Sequence, residues 1–176
     1  MANDTQIKGD ELFLRQKKLT QRNAPLIICD GLQTPENLGS ILRVADAAGS
    51  KGVILLDSDI DLKNRKISKL SRSASQHVPI EQLSLQQFID NRNQYKKIYA
   101  LEITQQSTSL FEAAYLDCDA LILGHESTGI RNETLALCDA AIHLPMFGTN
   151  GSMNISHALA VFLYDWRRQE MLKNEK

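Results

Sequence analysis

The sequence predicts an α/β protein, a mostly parallel sheet flanked by helices, on three observations. Short apolar runs without polar alternation recur along the chain, as strands buried on both faces do. The first two enclose a segment with helical spacing, giving strand–helix–strand within the first 56 residues. Polar, glycine-bearing clusters follow three of the runs, where open parallel sheets bind their ligands.

Taken in order, Pro25-Leu-Ile-Ile-Cys-Asp30 reads as a buried strand ending in an Asp-Gly turn. Leu38–Ala48 carries apolar residues at 38, 41, 42, 45 and 48, the spacing of a helix, with Gly49 as its stop. Gly52–Leu56 is the second strand. Val78-Pro-Ile80 reads as a short strand and Ser84–Tyr95 as a helix with Leu85, Phe88 and Ile89 inward. Lys97–Leu101 and Ala120–Leu123 are the next clear strands, Arg131–Cys138 a short helix, and Ala141–Leu144 the last strand. A long helix over Ala158–Met171 closes the chain. Its Leu159, Phe162, Leu163 and Trp166, with Val161 and Tyr164 on other faces, call for burial on more than one side.

Size and composition bound the function. The 176 residues suit one domain with a full core, and 43% hydrophobic and 23% charged residues are those of an ordinary globular protein. No apolar run approaches the ~18 residues of a membrane span, and Met1–Gln6 is too polar for a signal peptide. The expected location is therefore cytoplasmic, with no membrane partner. Cys29, Cys118 and Cys138 form no CxxC pair and read as thiols of a reducing compartment, so no metal site is expected. A net charge of −1 gives no global attraction for nucleic acid, so an RNA partner has to be met by a local patch.

Two such patches exist. Residues 1–24 read as an N-terminal extension with a short basic helix near Glu11–Thr20. Lys63, Arg65, Lys66, Lys69 and Arg72 place five cations in ten residues, with serines between them. That run is either a solvated face or a binding surface for RNA phosphates.

The three polar clusters are Asn37–Arg43, Gly124-His-Glu-Ser-Thr-Gly129 and the loop Leu144–His157. None is the GxGxxG of a dinucleotide site or the GxxxxGK[ST] of a phosphate loop. In the last, Gly148 and Gly151 permit sharp turns, and Asn150, Ser152 and Asn154 are candidates to cap the closing helix. Ser156 and His157 are adjacent on that helix and point apart, which argues against a Ser–His nucleophile pair. His125 and His143 read as structural histidines.

In this order and spacing the clusters resemble the three motifs of the SpoU (TrmH-like) RNA 2′-O-ribose methyltransferases of the SPOUT superfamily. Asn37-Leu-Gly-Ser-Ile-Leu-Arg-Val-Ala-Asp-Ala-Ala-Gly49 resembles the first, Leu121–Gly129 the second, and Leu144-Pro-Met-Phe-Gly through Ser152-Met-Asn-Ile-Ser156 the third. The resemblance runs from Pro25 to Arg168, so residues 25–176 are expected to form the catalytic domain. It implies a C-terminal deep trefoil knot, a homodimer, and S-adenosylmethionine (AdoMet) as cofactor. Leu101, Gly124, Leu144, Ser152 and Met153 match the family's cofactor contacts. Arg43, Asn37, Glu126, Ser152 and Asn154 match its catalytic positions.

The reaction implied is attack of a ribose 2′-hydroxyl on a sulfonium methyl, which requires no metal. A guanidinium is too weak an acid to serve as base at neutral pH, so Arg43 is expected to stabilise the developing alkoxide and anchor a phosphate. Glu126 and Asn154 are expected to hold Arg43 and the last loop in register, and Asn37 to face the RNA. Plainer roles stay open: Asn37 as a helix cap, Glu126 as a cap for the helix after Gly129, and Arg43 as ion-pair partner of Asp46 or Glu36. With so short an N-terminal extension, tRNA is the expected target. A ribosomal RNA methyltransferase and a non-catalytic RNA-binding dimer of the same fold are the alternatives.

Overall fold

Strand β1 (Leu26–Asp30) and strand β2 (Val53–Leu56) lie side by side in parallel, joined by helix α1 (Pro35–Ala48). In the computed structural model, residues 22–174 are described, and the helix expected near Glu11–Thr20 lies outside them. Helix α1 begins where Pro35, which has no N–H to leave unpaired, occupies the first turn. It ends at Gly49, whose φ of 67° is the left-handed cap conformation and whose N–H bonds back to Ala45 and Asp46.

After β2 come two short helices that the charged sequence concealed, α2 (Arg65–Ser71) and α3 (Ala74–His77). Strand β3 is Ile80–Leu83, two residues later than expected. Pro79 has no N–H to give, and its carbonyl instead accepts from Val53 N at 2.8 Å. Helix α4 (Leu85–Asp90) starts with a capping box between Ser84 and Gln87 and stops short, followed by one 3₁₀ turn at Arg92–Gln94. Phe88 is its buried residue, whereas Ile89, expected inward, is exposed.

The chain continues through β4 (Ile98–Leu101), β5 (Thr108–Ser109), β6 (Ala120–Leu123), α5 (Asn132–Leu135), β7 (Ala140–His143) and α6 (Ile155–Asn174). The two-residue β5 has no sequence signature, and α5 is one turn of the longer helix expected there. The sheet has seven strands in the order β3-β2-β1-β6-β4-β7-β5, and every pairing is parallel. The chain reverses its direction of growth at β1, so β1 and β6 lie side by side at the switch point.

Alternate strand residues feed two cores. Ile27, Cys29, Leu55, Leu121 and Leu123 face α1 and α6, where Leu38, Ile41, Leu159, Phe162 and Leu163 meet them. Ile28, Ile54, Ile98 and Ile122 face the other way, toward Phe88 and Ile130. Each such side chain contributes roughly 1.5–3 kcal/mol by burial. Helix α6 packs directly on α1, bringing together two segments far apart in sequence. In the single chain α6 buries Leu159, Phe162, Leu163 and Trp166 and leaves Val161 and Tyr164 exposed.

Candidate functional site

The carboxyl ends of β4, β6 and β7 open into one cleft of about 980 Å³, within the usual range for small-molecule sites. Leu101 ends β4, Gly124 follows β6 and Leu144 follows β7. All three line the cleft with Ser152 and Met153, so the five residues expected to contact the cofactor share one cavity.

Gly124 cannot be anything larger. A Cβ there would lie 2.3 Å from the carbonyl carbon of Gly129, because His125 and Gly129 exchange both backbone hydrogen bonds at 3.0 Å. Gly129 has φ 73°, and a Cβ on it would meet Glu102 Oε2 at 2.6 Å. Glu102, a cleft residue that sequence reasoning missed, accepts from Ile130 N at 3.1 Å and Ile103 N at 2.9 Å. Lying outside the three clusters, it has no sequence signal beyond following a strand.

The second expected group forms a chain of hydrogen bonds. Glu126 Oε1 accepts from Asn37 Nδ2 at 3.0 Å and from Thr34 N at 3.1 Å. Asn37 Oδ1 accepts from Asn154 Nδ2 at 2.9 Å. Asn154 Oδ1 in turn accepts from the Ser156 N–H and hydroxyl, at 2.9 and 2.7 Å. Burial pushes the Glu126 carboxyl up, but the bonds from Asn37 and Thr34 more than offset this and hold it below the ordinary glutamate range.

These contacts revise two expectations. Asn37 is not the cap of α1: that position is Thr34, whose side chain makes no capping bond, and Glu126 supplies the acceptor to its N–H from across the sheet. Asn37 bonds Glu126 through its amide nitrogen and Asn154 through its amide oxygen. Glu126 and Asn154 hold each other through Asn37 and do not hold Arg43. Of the three capping candidates in the last loop, Asn154 starts α6, accepting at its carbonyl from His157 and Ala158.

Arg43 is exposed on α1 and does not line the cleft. Its two possible ion-pair partners are engaged elsewhere: Asp46 by Arg22 at 2.6 Å and Glu36 by Lys66 at 2.7 Å. The Arg43 guanidinium thus has no bonding partner among the described residues. Ser152 and Met153 are exposed on the cleft rim. Lys63, Arg65, Lys69 and Arg72 are at the surface around α2.

Both cleft histidines are held as expected. His125 Nδ1 accepts from Ser127 N at 3.1 Å, which places its proton on Nε2. His143 Nδ1 lies 3.0 Å from Ser107 Oγ. Burial pushes the Cys29 and Cys118 thiols up, and that of Cys138 up to about 12, so all three stay protonated near neutrality.

The sequence profile of the SpoU rRNA Methylase family matches residues 24–164, most of the chain and all three clusters. The chain belongs to the SpoU family. Among named relatives, the 23S rRNA (guanosine-2'-O-)-methyltransferase RlmB of Neisseria meningitidis serogroup B is 36% identical over 153 residues, covering 86% of this chain and 61% of its own. The AdoMet-bound rRNA methyltransferase of Sinorhizobium meliloti superposes with a TM-score of 0.76 at 25% identity, covering 85% of this chain and 57% of that one. A structure described as giving insight into the 2-OH methylation of C/U34 on tRNA has the same TM-score and identity, covering 85% of this chain and 98% of its own. The chain spans about three fifths of the length of the curated SpoU relatives it matches.

An AdoMet-sized ligand fits what the residues offer. Leu101, Leu144 and Met153 provide apolar walls. From Leu144 to Met153 the loop makes no hydrogen bond to any described residue, leaving a run of backbone donors and acceptors beside the cleft. An adenine ring needs that combination of apolar slot and peptide polar groups.

Proposed function

We propose that this chain is an AdoMet-dependent methyltransferase acting on a ribose 2′-hydroxyl of RNA, with tRNA as first target, working in the cytoplasm as a homodimer. One observation carries the reading. The Glu126–Asn37–Asn154 chain joins all three motifs at the edge of the cleft that the five cofactor-matching residues line. Leu101, Gly124, Leu144, Ser152 and Met153 would hold AdoMet, which when bound supplies an electrophilic methyl on a sulfonium. The chain's task is then to align the ribose oxygen and to stabilise the charge it develops.

Arg43 is suited to the second task. It is an uncompensated cation on a helix whose start is tied to the cleft wall through Asn37 and Thr34. Its planar fork matches a phosphate or an alkoxide. The Glu126–Asn37–Asn154 chain positions these elements and keeps the last loop against the cleft. Lys63, Arg65, Lys66, Lys69 and Arg72 extend the cationic surface on which RNA lies.

The connection from β4 to β6 lays Leu110 and Ser107 across His143 at the end of β7, and the chain then turns back to α6. That crossing supports the trefoil knot. Exposed Phe111 and Phe147, stacked with centroids 6.4 Å apart, and exposed Val161 and Tyr164 support a second copy as partner. Ribosomal RNA is the second reading of the target, favoured by the 23S rRNA activity named for the Neisseria relative.

The test is methyl transfer from labelled AdoMet to bulk tRNA and, separately, to ribosomal RNA, followed by nucleoside analysis. A 2′-O-methylated nucleoside is expected, and the RNA that yields it names the target class. A base-methylated product overturns the reaction. Calorimetry showing no AdoMet binding favours a non-catalytic RNA-binding dimer instead. No helix among the described residues is long and apolar enough to cross a membrane.

A further inference from the structure

We infer that Arg72 joins Arg43 in gripping the phosphate backbone of the RNA, and that the chain keeps an arginine in a glycine-type conformation to do so. The inference rests on the RNA reading above and assigns a role to one residue within it.

Three observations carry it. The first is conformational. Arg72, at the end of α2, has φ 54° and ψ −126°, a combination that a residue with a Cβ adopts only under strain. Nothing local calls for a side chain there. Its N–H bonds to Ser68 O at 3.0 Å, a contact glycine would make equally well. Among the described residues, Gly31, Gly49 and Gly129 fill the other left-handed positions apart from Asp57. Asp57 earns its exception by bonding Leu85 N at 3.0 Å and Arg131 at 2.7 Å. Arg72 makes no such side-chain bond among the described residues.

The second is charge. Of the described arginines, Arg43, Arg65 and Arg72 alone carry guanidinium groups that meet no carboxylate or other hydrogen-bonding group. All three lie on α1, α2 or the turn after α2, whereas Arg22, Arg92, Arg131, Arg167 and Arg168 are all paired.

The third is register. Glu36 reaches Lys66, and a Cβ on Gly39 would meet Leu70 Cβ at 2.8 Å and Ile67 O at 3.0 Å, so α1 and α2 run alongside each other in the same direction. Arg43 is one turn beyond Gly39 on that face. Since α1 also packs against α3, which begins at Ala74, Arg43 comes level with the turn that holds Arg72. Two unpaired guanidinium groups on neighbouring segments form a grip for successive phosphates of one strand.

The test compares the wild type with Arg72→Gly and Arg72→Lys. Binding of labelled bulk tRNA and of ribosomal RNA is followed across a salt series, beside AdoMet calorimetry and thermal melting. Arg72→Gly is expected to melt at or above the wild type, by about 2–4 °C if the strain is fully relieved. It should bind AdoMet unchanged and bind RNA several-fold more weakly, the slope of log K against log salt falling by about one. Arg72→Lys should recover most of the slope. Equal affinity and slope in Arg72→Gly overturn the grip, and a lower melting temperature overturns the strain argument. Failure of the wild type to bind either RNA overturns the RNA reading itself.

Discussion

Asn154 Nδ2 donates to Asn37 Oδ1 at 2.9 Å, tying the start of α6 to the first turn of α1 across 117 residues of sequence. Asn37 also bonds Glu126, and Asn154 also bonds Ser156, so the pair links three segments of the chain. Asn37→Ala and Asn154→Ala should each cost about 0.5–1.5 kcal/mol. The double variant should cost less than their sum, by about 0.5 kcal/mol or more. A double-mutant cycle by chemical denaturation checks this, and strict additivity would mean that the two side chains do not communicate. In turnover, both single variants should lower kcat more than the KM for AdoMet, since they displace helices and not cofactor contacts.

Arg43→Ala should leave the fold intact, because the guanidinium is exposed and has no bonding partner among the described residues. Stability is expected within about 0.5 kcal/mol of wild type. AdoMet should bind as before while methyl transfer is lost, measured by calorimetry and by label incorporation. Near-normal turnover would remove Arg43 from the reaction.

Asp30 is 1% exposed and ends β1, where Arg131 donates to it through its backbone N–H at 2.9 Å, through Nε at 2.8 Å and through a second guanidinium nitrogen. The same guanidinium reaches Asp57 at 2.7 Å and holds that carboxyl below the ordinary aspartate range. Arg131→Met strands a buried carboxylate and should cost about 3–5 kcal/mol. Adding Asp30→Asn should recover part of the loss. If the single variant melts like the wild type, the cluster is not what pins the strand ends together.

The pH dependence follows from Glu126. Its folded-state pKa is depressed, so the stability it contributes is fully present above the unfolded value of about 4.3 and is lost as pH falls through the lower folded value. Glu126→Gln removes that titration. Acid unfolding followed between about pH 5 and pH 2 should therefore fall less steeply in Glu126→Gln than in the wild type. Parallel curves would show that Glu126 titrates normally in the fold.

Much of the fold was legible because strands such as Val53–Leu56 and Ala120–Leu123 are continuous apolar runs, the signature of a sheet covered on both faces. Helix α1 was legible from its 3.6-residue period and Gly49. The short helices α2 and α3 were not. Their buried apolar residues are Ile67 and Ala74, too few to set a helical period, and most of their other positions are polar or charged. The membership of the site was legible and its wiring was not. Asn37, Glu126 and Asn154 were recognisable as site residues, but that they bond one another and leave Arg43 aside depends on how α1 and α6 meet, which no local pattern encodes. Glu102 was invisible because its role depends on the shape of the turn around Gly129.

The packing of α6 on α1 has a temporal consequence. The segment that completes the cleft wall leaves the ribosome after every strand of the sheet, 117 residues behind its partner Asn37. Everything up to β7 can form while Asn37 still lacks Asn154 and the cleft lacks its final loop. A chain that has reached only β7 therefore lacks Ser152, Met153 and Asn154, and with them a complete cofactor cleft. The cleft is complete when α6 closes on α1, and so distant a contact is slow to form.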